Sequence, residues 1–137
     1  DQNALRLAVR DGVAALCSDH TPLSEDGKQV PFGEALPGAS ALELLLPLTL
    51  RWAEETRTPL ATALARITCD PSAILGISSG SLTPGNPADI CIFDPAATWR
   101  VSPEGLQSRG KNTPFEGIEM TGRVVATLVD GHLVFGA

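Results

Sequence analysis

With 137 residues, 43% of them hydrophobic, and a mean hydropathy of +0.10, the chain can bury a core and suits one domain or one and a half, neither disordered nor fibrous. Sixteen acidic residues against ten basic ones leave a formal charge of -6 and a pI near 4.7, and no cluster of lysine or arginine interrupts that background. Phosphate-backbone binding needs a basic face, so nucleic acid is excluded as the expected partner.

Asn3 is placed to cap a short helix whose apolar positions Ala4, Leu5, Ala8 and Val9 follow helical spacing, and Asp11-Gly12 supplies its stop. Nothing in Asp1-Gln2-Asn3 resembles a signal-peptide core, and there is no initiator methionine. The expectation is a soluble, cytoplasmic protein, processed or truncated. Val13 to Cys17 is a continuous apolar run of strand length, the pattern of a parallel strand buried on both faces. A helix followed by such a strand predicts an α/β unit.

Residues 21–38 hold three prolines and three glycines among alternating charges, too long and too polar for a simple connector. Loops of that length usually serve as lids or binding loops. From Ser40 the helical pattern returns through Leu42, Leu45, Leu46, Leu50 and Ala53, with Pro47 either kinking the helix or sitting in the first turn of a second one. Glu43, Pro47 and Thr49 interrupt this stretch, the most apolar of the chain. It falls far short of the about 20 residues a membrane span needs, so no membrane is expected.

Thr58-Pro59 reads as an N-cap followed by proline at the first helical position, ahead of the stripe Leu60, Ala63, Leu64 and Ile67. Asp70-Pro71 repeats that start, and Gly76 closes the turn. At Ser78 the character changes. Glycine, serine and proline dominate up to Asp89, and strand-like segments follow around Ile90, Ile92, Trp99 and Val101. Val124 to Val129 meets Leu133 to Phe135 across Asp130-Gly131, a strong hairpin signal. A boundary is therefore expected near 78, with a mostly helical unit before it and a β-rich unit at 78–137. Cys17, Cys69 and Cys91 are odd in number, widely spaced and free of any CxxC pair, which predicts buried free thiols in a reducing compartment.

Asp19 stands at the end of the first expected strand, where barrel enzymes place catalytic groups and metal ligands. The same carboxylate suits a turn, accepting backbone N–H bonds from the loop, and the residues alone leave both readings open. Adjacent residues at a strand end point in opposite directions, so His20 is expected to be a hydrogen-bonded structural histidine rather than a partner of Asp19. His132 is expected to be solvent-exposed beside the hairpin turn. Two histidines this far apart form neither HxH nor HExxH, so this chain cannot assemble a complete metal site. Ser18 lacks a GxSxG elbow, and Gly76, Gly80 and Gly85 match no phosphate cradle.

The run Gly12-Val13-Ala14-Ala15-Leu16-Cys17-Ser18-Asp19-His20-Thr21-Pro22 resembles the last barrel strand of the dihydroorotases, members of the amidohydrolase superfamily, where a D-H-x-P segment recurs. Pro37-Gly38 with Leu42-Glu43 and Leu46-Pro47-Leu48 is similar to the segment after that family's substrate loop. Leu82-Thr83-Pro84-Gly85-Asn86-Pro87-Ala88-Asp89 resembles the entry to the flanking β domain of amidohydrolases generally. Ser108-Arg109-Gly110-Lys111-Asn112-Thr113-Pro114-Phe115 is similar to a segment more particular to dihydroorotases. It argues against a cyclic amidohydrolase for another substrate, such as a hydantoin.

The resemblance implies the C-terminal part of a (β/α)8 metal-dependent hydrolase barrel at residues 1–77, and part of the flanking small β domain at 78–137. A full barrel takes at least about 200 residues. It further implies a binuclear zinc site whose other ligands lie outside this chain, with Asp19 as both metal ligand and catalytic base. Pro37 and Gly38 would contact substrate through the backbone. The implied reaction is the reversible opening of the dihydroorotate ring to N-carbamoyl-aspartate, in pyrimidine biosynthesis. One position departs from the pattern. Active members commonly continue to D-H-x-P-H, whose last histidine helps bind substrate, and here that position is Leu23. The departure fits either an enzyme that recruits a donor from elsewhere or a non-catalytic paralogue that serves as a structural partner of aspartate transcarbamoylase. The isolated chain is expected to be inactive and to pair with the missing N-terminal barrel portion or with itself.

Overall fold

The computed structural model describes residues 1–136; Ala137, the last residue of the expected 78–137 unit, lies outside the described residues. In chain order the elements are α1 (Gln2–Arg10), 3-10 turns at Glu25–Gly27 and Leu42–Leu44, α2 (Leu45–Thr56), α3 (Leu60–Ala65), α4 (Cys69–Leu75), β1 (Ile90–Arg100), β2 (Glu119–Val129) and β3 (His132–Phe135).

The helices fall where the apolar spacing put them, with adjusted ends. Asp1, not Asn3, holds the N-cap position of α1, and Gly12 turns the chain away at φ 81°. Pro47 occupies the first turn of α2, where the N–H groups have no intrahelical partner, so its missing donor costs nothing. Pro71 stands likewise in the first turn of α4, which Gly76 ends in the left-handed conformation. Pro59 takes the cap position of α3, and the Thr58 hydroxyl pairs with Thr56 rather than with the helix.

The sheet is antiparallel in the order β1-β2-β3. Asp130 (φ 49°) and Gly131 (φ 78°) make the two-residue turn that sets Val129 opposite His132, as the Asp-Gly signal predicts. His132 is exposed. A bulge interrupts β1 between Asp94 and Thr98, where Pro95 cannot serve the ladder and the Asp94 carboxylate accepts from Ala96 N and Ala97 N. Helix α2 lies against β2 at Gly122, whose missing side chain leaves room for Leu50.

The core is small: Leu44, Val101, Leu106 and Met120 are buried, with Leu48, Trp99 and Phe115 packed around them. It joins the helical first half to the β-rich second half. A chain of this mass usually exposes about 6,800 Å² when folded, whereas this one exposes 9208 Å². Helix α1 buries no residue, and large apolar side chains stand exposed on it, on the 21–38 loop and on the sheet.

Two expectations fail here. Val13 to Cys17 is not a strand, and Val13 is 79% exposed instead of buried on both faces. Strand backbone needs a ladder partner, and beyond the Val13 N–H that closes α1, the run's backbone bond among the described residues is the one from Leu16 N to Arg66 O at 2.9 Å. No neighbouring strand lies alongside it among the described residues. The three cysteines are free but exposed, not buried, because the surfaces that carry them lack cover. No helix among the described residues is long and apolar enough to cross a membrane.

Candidate active site

Asp19 lies two residues past the Val13–Cys17 segment, at φ 47°, a left-handed conformation that aspartate tolerates better than most residues. Its side chain is exposed, and among the described residues it has neither a hydrogen-bond nor an ion-pair partner. The carboxylate therefore does not cap its own loop, although the left-handed backbone itself gives aspartate a place in the turn.

Around this free carboxylate the backbone is held from three directions. Thr21 N–H donates to Ala39 O at 3.0 Å, which lays the turn along residues 37–42. His20 faces the same segment, its Nδ1 accepting from Ala41 N and Leu42 N, each at 3.1 Å. It is thus the hydrogen-bonded histidine the sequence suggests. Gly38 sits at φ 138° with the Thr21 carbonyl 2.6 Å from where a Cβ would be, so only glycine fits this crossing.

The third support is residues 106–113. Ser40 N–H donates to Asn112 O at 2.7 Å, the Ser40 hydroxyl donates to Gly110 O, and Asn112 Nδ2 donates to Gly38 O at 3.3 Å. Gly110 packs directly on Pro22, where a Cβ would come within 2.6 Å of the proline Cβ. The Glu43 carboxylate fastens the start of this segment, with Oε2 accepting from Gln107 N and Oε1 from Ser108 N, both at 2.8 Å. Lys111 Nζ donates to Leu106 O at 2.6 Å. Hydrogen bonds from its own backbone amide and from Ser102, with Lys111 nearby, hold the exposed Glu104 carboxyl below the usual carboxylate range.

The residues singled out from the sequence thus meet in one place. Asp19, Pro37 and Gly38 lie on segments bonded to each other, with Pro37 exposed and Leu23 half-buried one turn further on. Gly38 N–H and Pro37 C=O have no hydrogen-bond partner among the described residues. Of the supporting residues, Glu43 and Asn112 stood in the sequence only as positions of the resembling segments, with no role, and Ser40 as the start of a helical pattern; the signal for Glu43 was a single charge inside the apolar run Leu42 to Leu46. Among the described residues no three His, Cys, Asp or Glu side chains converge as a metal site. The Asp19 carboxylate is of a type that can serve as one oxygen ligand to a metal. A groove of about 320 Å³ lies between α2 and the sheet, lined by Leu46, Trp99, Arg123 and Phe135 among others, away from Asp19.

The amidohydrolase family profile matches residues 1–134. The chain belongs to the amidohydrolase family. This amidohydrolase is 41% identical over 136 residues to a protein of Syntrophotalea carbinolica named dihydroorotase, covering 98% of this chain and 32% of that one. It is 44% identical over 137 residues to a dihydroorotase-like protein of Pseudomonas putida, covering 99% and 32%. Among solved structures, D-hydantoinase from Bacillus sp. AR9 superposes with a TM-score of 0.88 at 26% identity, covering 99% of this chain and 31% of the enzyme. L-hydantoinase from Arthrobacter aurescens gives 0.86 at 29%, covering 96% and 31%. The chain spans about a third of the length of the relatives it matches, so the family's α/β fold is present here in part.

Proposed function

We propose that this chain is the C-terminal portion of a zinc-dependent dihydroorotase of the cytoplasm, opening dihydroorotate reversibly to N-carbamoyl-aspartate in pyrimidine biosynthesis. Residues 1–77 would contribute the end of the (β/α)8 barrel, and 78–137 part of the flanking unit. The observation that carries this reading is the unpartnered Asp19 carboxylate, held on a turn by the segments that resemble the family's substrate-binding ones. Relatives named dihydroorotase are 39–42% identical and those named dihydroorotase-like 42–44%, while the hydantoinases above are 26–29% identical. The names of the curated relatives support dihydroorotate over a hydantoin.

Asp19 would hold zinc together with ligands from the rest of the protein. A bound zinc would supply Lewis-acid polarisation of the ring amide and a more acidic water at neutral pH. Asp19 takes a proton as water adds to the amide carbon, then returns it to the ring nitrogen as the C–N bond breaks. Gly38 N–H and Pro37 C=O, both free, suit a donor and an acceptor for the substrate. Leu23 offers neither, so an anionic substrate loses one hydrogen bond there.

The test is ring-opening of dihydroorotate by the complete protein, followed spectroscopically, with Asp19→Asn and Leu23→His beside the parent. Asparagine keeps the left-handed turn but cannot accept the proton, so turnover should fall by at least about a hundredfold. Leu23→His should lower KM. The 137-residue chain alone should be inactive even with added zinc. Parent-level turnover by Asp19→Asn would sink the catalytic role, and a complete protein without turnover would favour the structural partnership with aspartate transcarbamoylase.

A further inference from the structure

We propose that His20 is a positioning residue, a capping group that fixes the Asp19 turn and the Pro37–Gly38 segment relative to each other. The N-terminal groups of a helix need acceptors. The 3-10 turn Leu42–Leu44, which runs on into α2, has Ala41 at its N-cap position, and alanine has no side-chain acceptor to offer. Its open N–H groups, Ala41 N and Leu42 N, both point at His20 Nδ1, each at 3.1 Å. Histidine thus does from a distant segment what serine or aspartate does locally.

Two consequences follow from the bonding. With Nδ1 accepting twice, the ring proton must sit on Nε2. The imidazole, adjacent to Asp19 in the chain, also ties the carboxylate's turn to a segment that begins three residues after Gly38. A shift of either segment therefore moves both the proton acceptor and the backbone groups proposed for substrate. The inference rests on the reading of Asp19, Pro37 and Gly38 as the working groups, and its test separates the two.

Asparagine places its Oδ1 close to the position of histidine Nδ1, whereas glutamine reaches the position of Nε2. His20→Asn, His20→Gln and His20→Ala are compared in the complete protein by kcat and KM for dihydroorotate, and by hydrogen exchange at Ala41 and Leu42. His20→Asn should keep kcat/KM within about threefold, while His20→Gln and His20→Ala lose at least about tenfold, with kcat lowered and KM raised together. The two amides should be protected in the parent and in His20→Asn, and exchange rapidly in the other two. Equal behaviour of the Asn and Gln variants in either readout would overturn the inference, whether both are impaired or both intact. If the parent itself lacks turnover, the dihydroorotase reading fails, and amide exchange alone decides the role of His20.

Discussion

Replacing Glu43 by alanine tests how residues 106–113 are held beside the Asp19 turn. The carboxylate accepts two backbone N–H bonds at 2.8 Å, one from exposed Gln107 and one from half-buried Ser108. Hydrogen bonds to a charged group contribute about 1.5–3 kcal/mol when shielded from water and far less when water can take over. The Ser108 bond therefore carries about 1.5 kcal/mol and the Gln107 bond about 0.5 kcal/mol, or about 2 kcal/mol together. For a chain of 137 residues, an unfolding entropy of about 2.1 cal/mol/K per residue turns that into a drop in Tm of about 7 °C. Glutamine retains one acceptor oxygen, so Glu43→Gln should cost about half as much. Urea unfolding followed by tryptophan fluorescence, with a thermal melt beside it, reads both values. A Glu43→Ala midpoint unchanged to within about 0.5 kcal/mol, or a glutamine variant as unstable as the alanine one, would refute the double-acceptor account.

Three further perturbations reach other parts of the frame. Gly38→Ala puts a methyl group into the Thr21 carbonyl at a φ of 138°, so it should destabilise by about 2 kcal/mol or more; a variant melting with the parent would contradict the close crossing. The Arg66 guanidinium donates to Val9 O at 2.6 Å and Arg10 O at 3.1 Å while pairing with Asp70, and so holds the end of α1. Arg66→Ala should free that helix and speed tryptic cleavage after Arg10, with unchanged digestion as the contrary result. Cys91 is exposed as a residue, yet partial desolvation of its thiol by the surrounding protein raises it above its usual range, so the folded state keeps that proton to higher pH than the unfolded one and loses stability as pH rises between the two values. Alkylation near pH 8 should therefore modify Cys91 more slowly in the native protein than in urea; equal rates in the two states would rule out the desolvated thiol.

Local signals carried much of this fold. Helical spacing located α1, α2 and α3, start and stop signals located α4, and Asp130-Gly131 fixed the hairpin register, because each depends on residues close in sequence. The Val13–Cys17 run misled for the opposite reason. Its apolar continuity specifies strands on either side, and a strand cannot form from composition when the ladder partners are missing. The cysteines failed in the same way, since their cover is not supplied by neighbours in sequence. At the candidate site, motif resemblance pointed to Asp19, Pro37 and Gly38 and marked Glu43 and Asn112 only as motif positions, whereas the bonds made by Glu43, Ser40 and Asn112 reach more than 60 residues along the chain, beyond what local spacing reveals.

The connector between α4 and β1 bears on how this polypeptide can be handled. Every residue from Ala73 to Pro87 is exposed, while the buried cluster of Leu44 with Val101, Leu106 and Met120 closes across it. A protease nick or an inserted tag within Ser81–Pro87 would thus sever the covalent link without opening the packed interior. The two pieces should remain associated and copurify, which makes this stretch the natural splice point for split or fused versions of the protein.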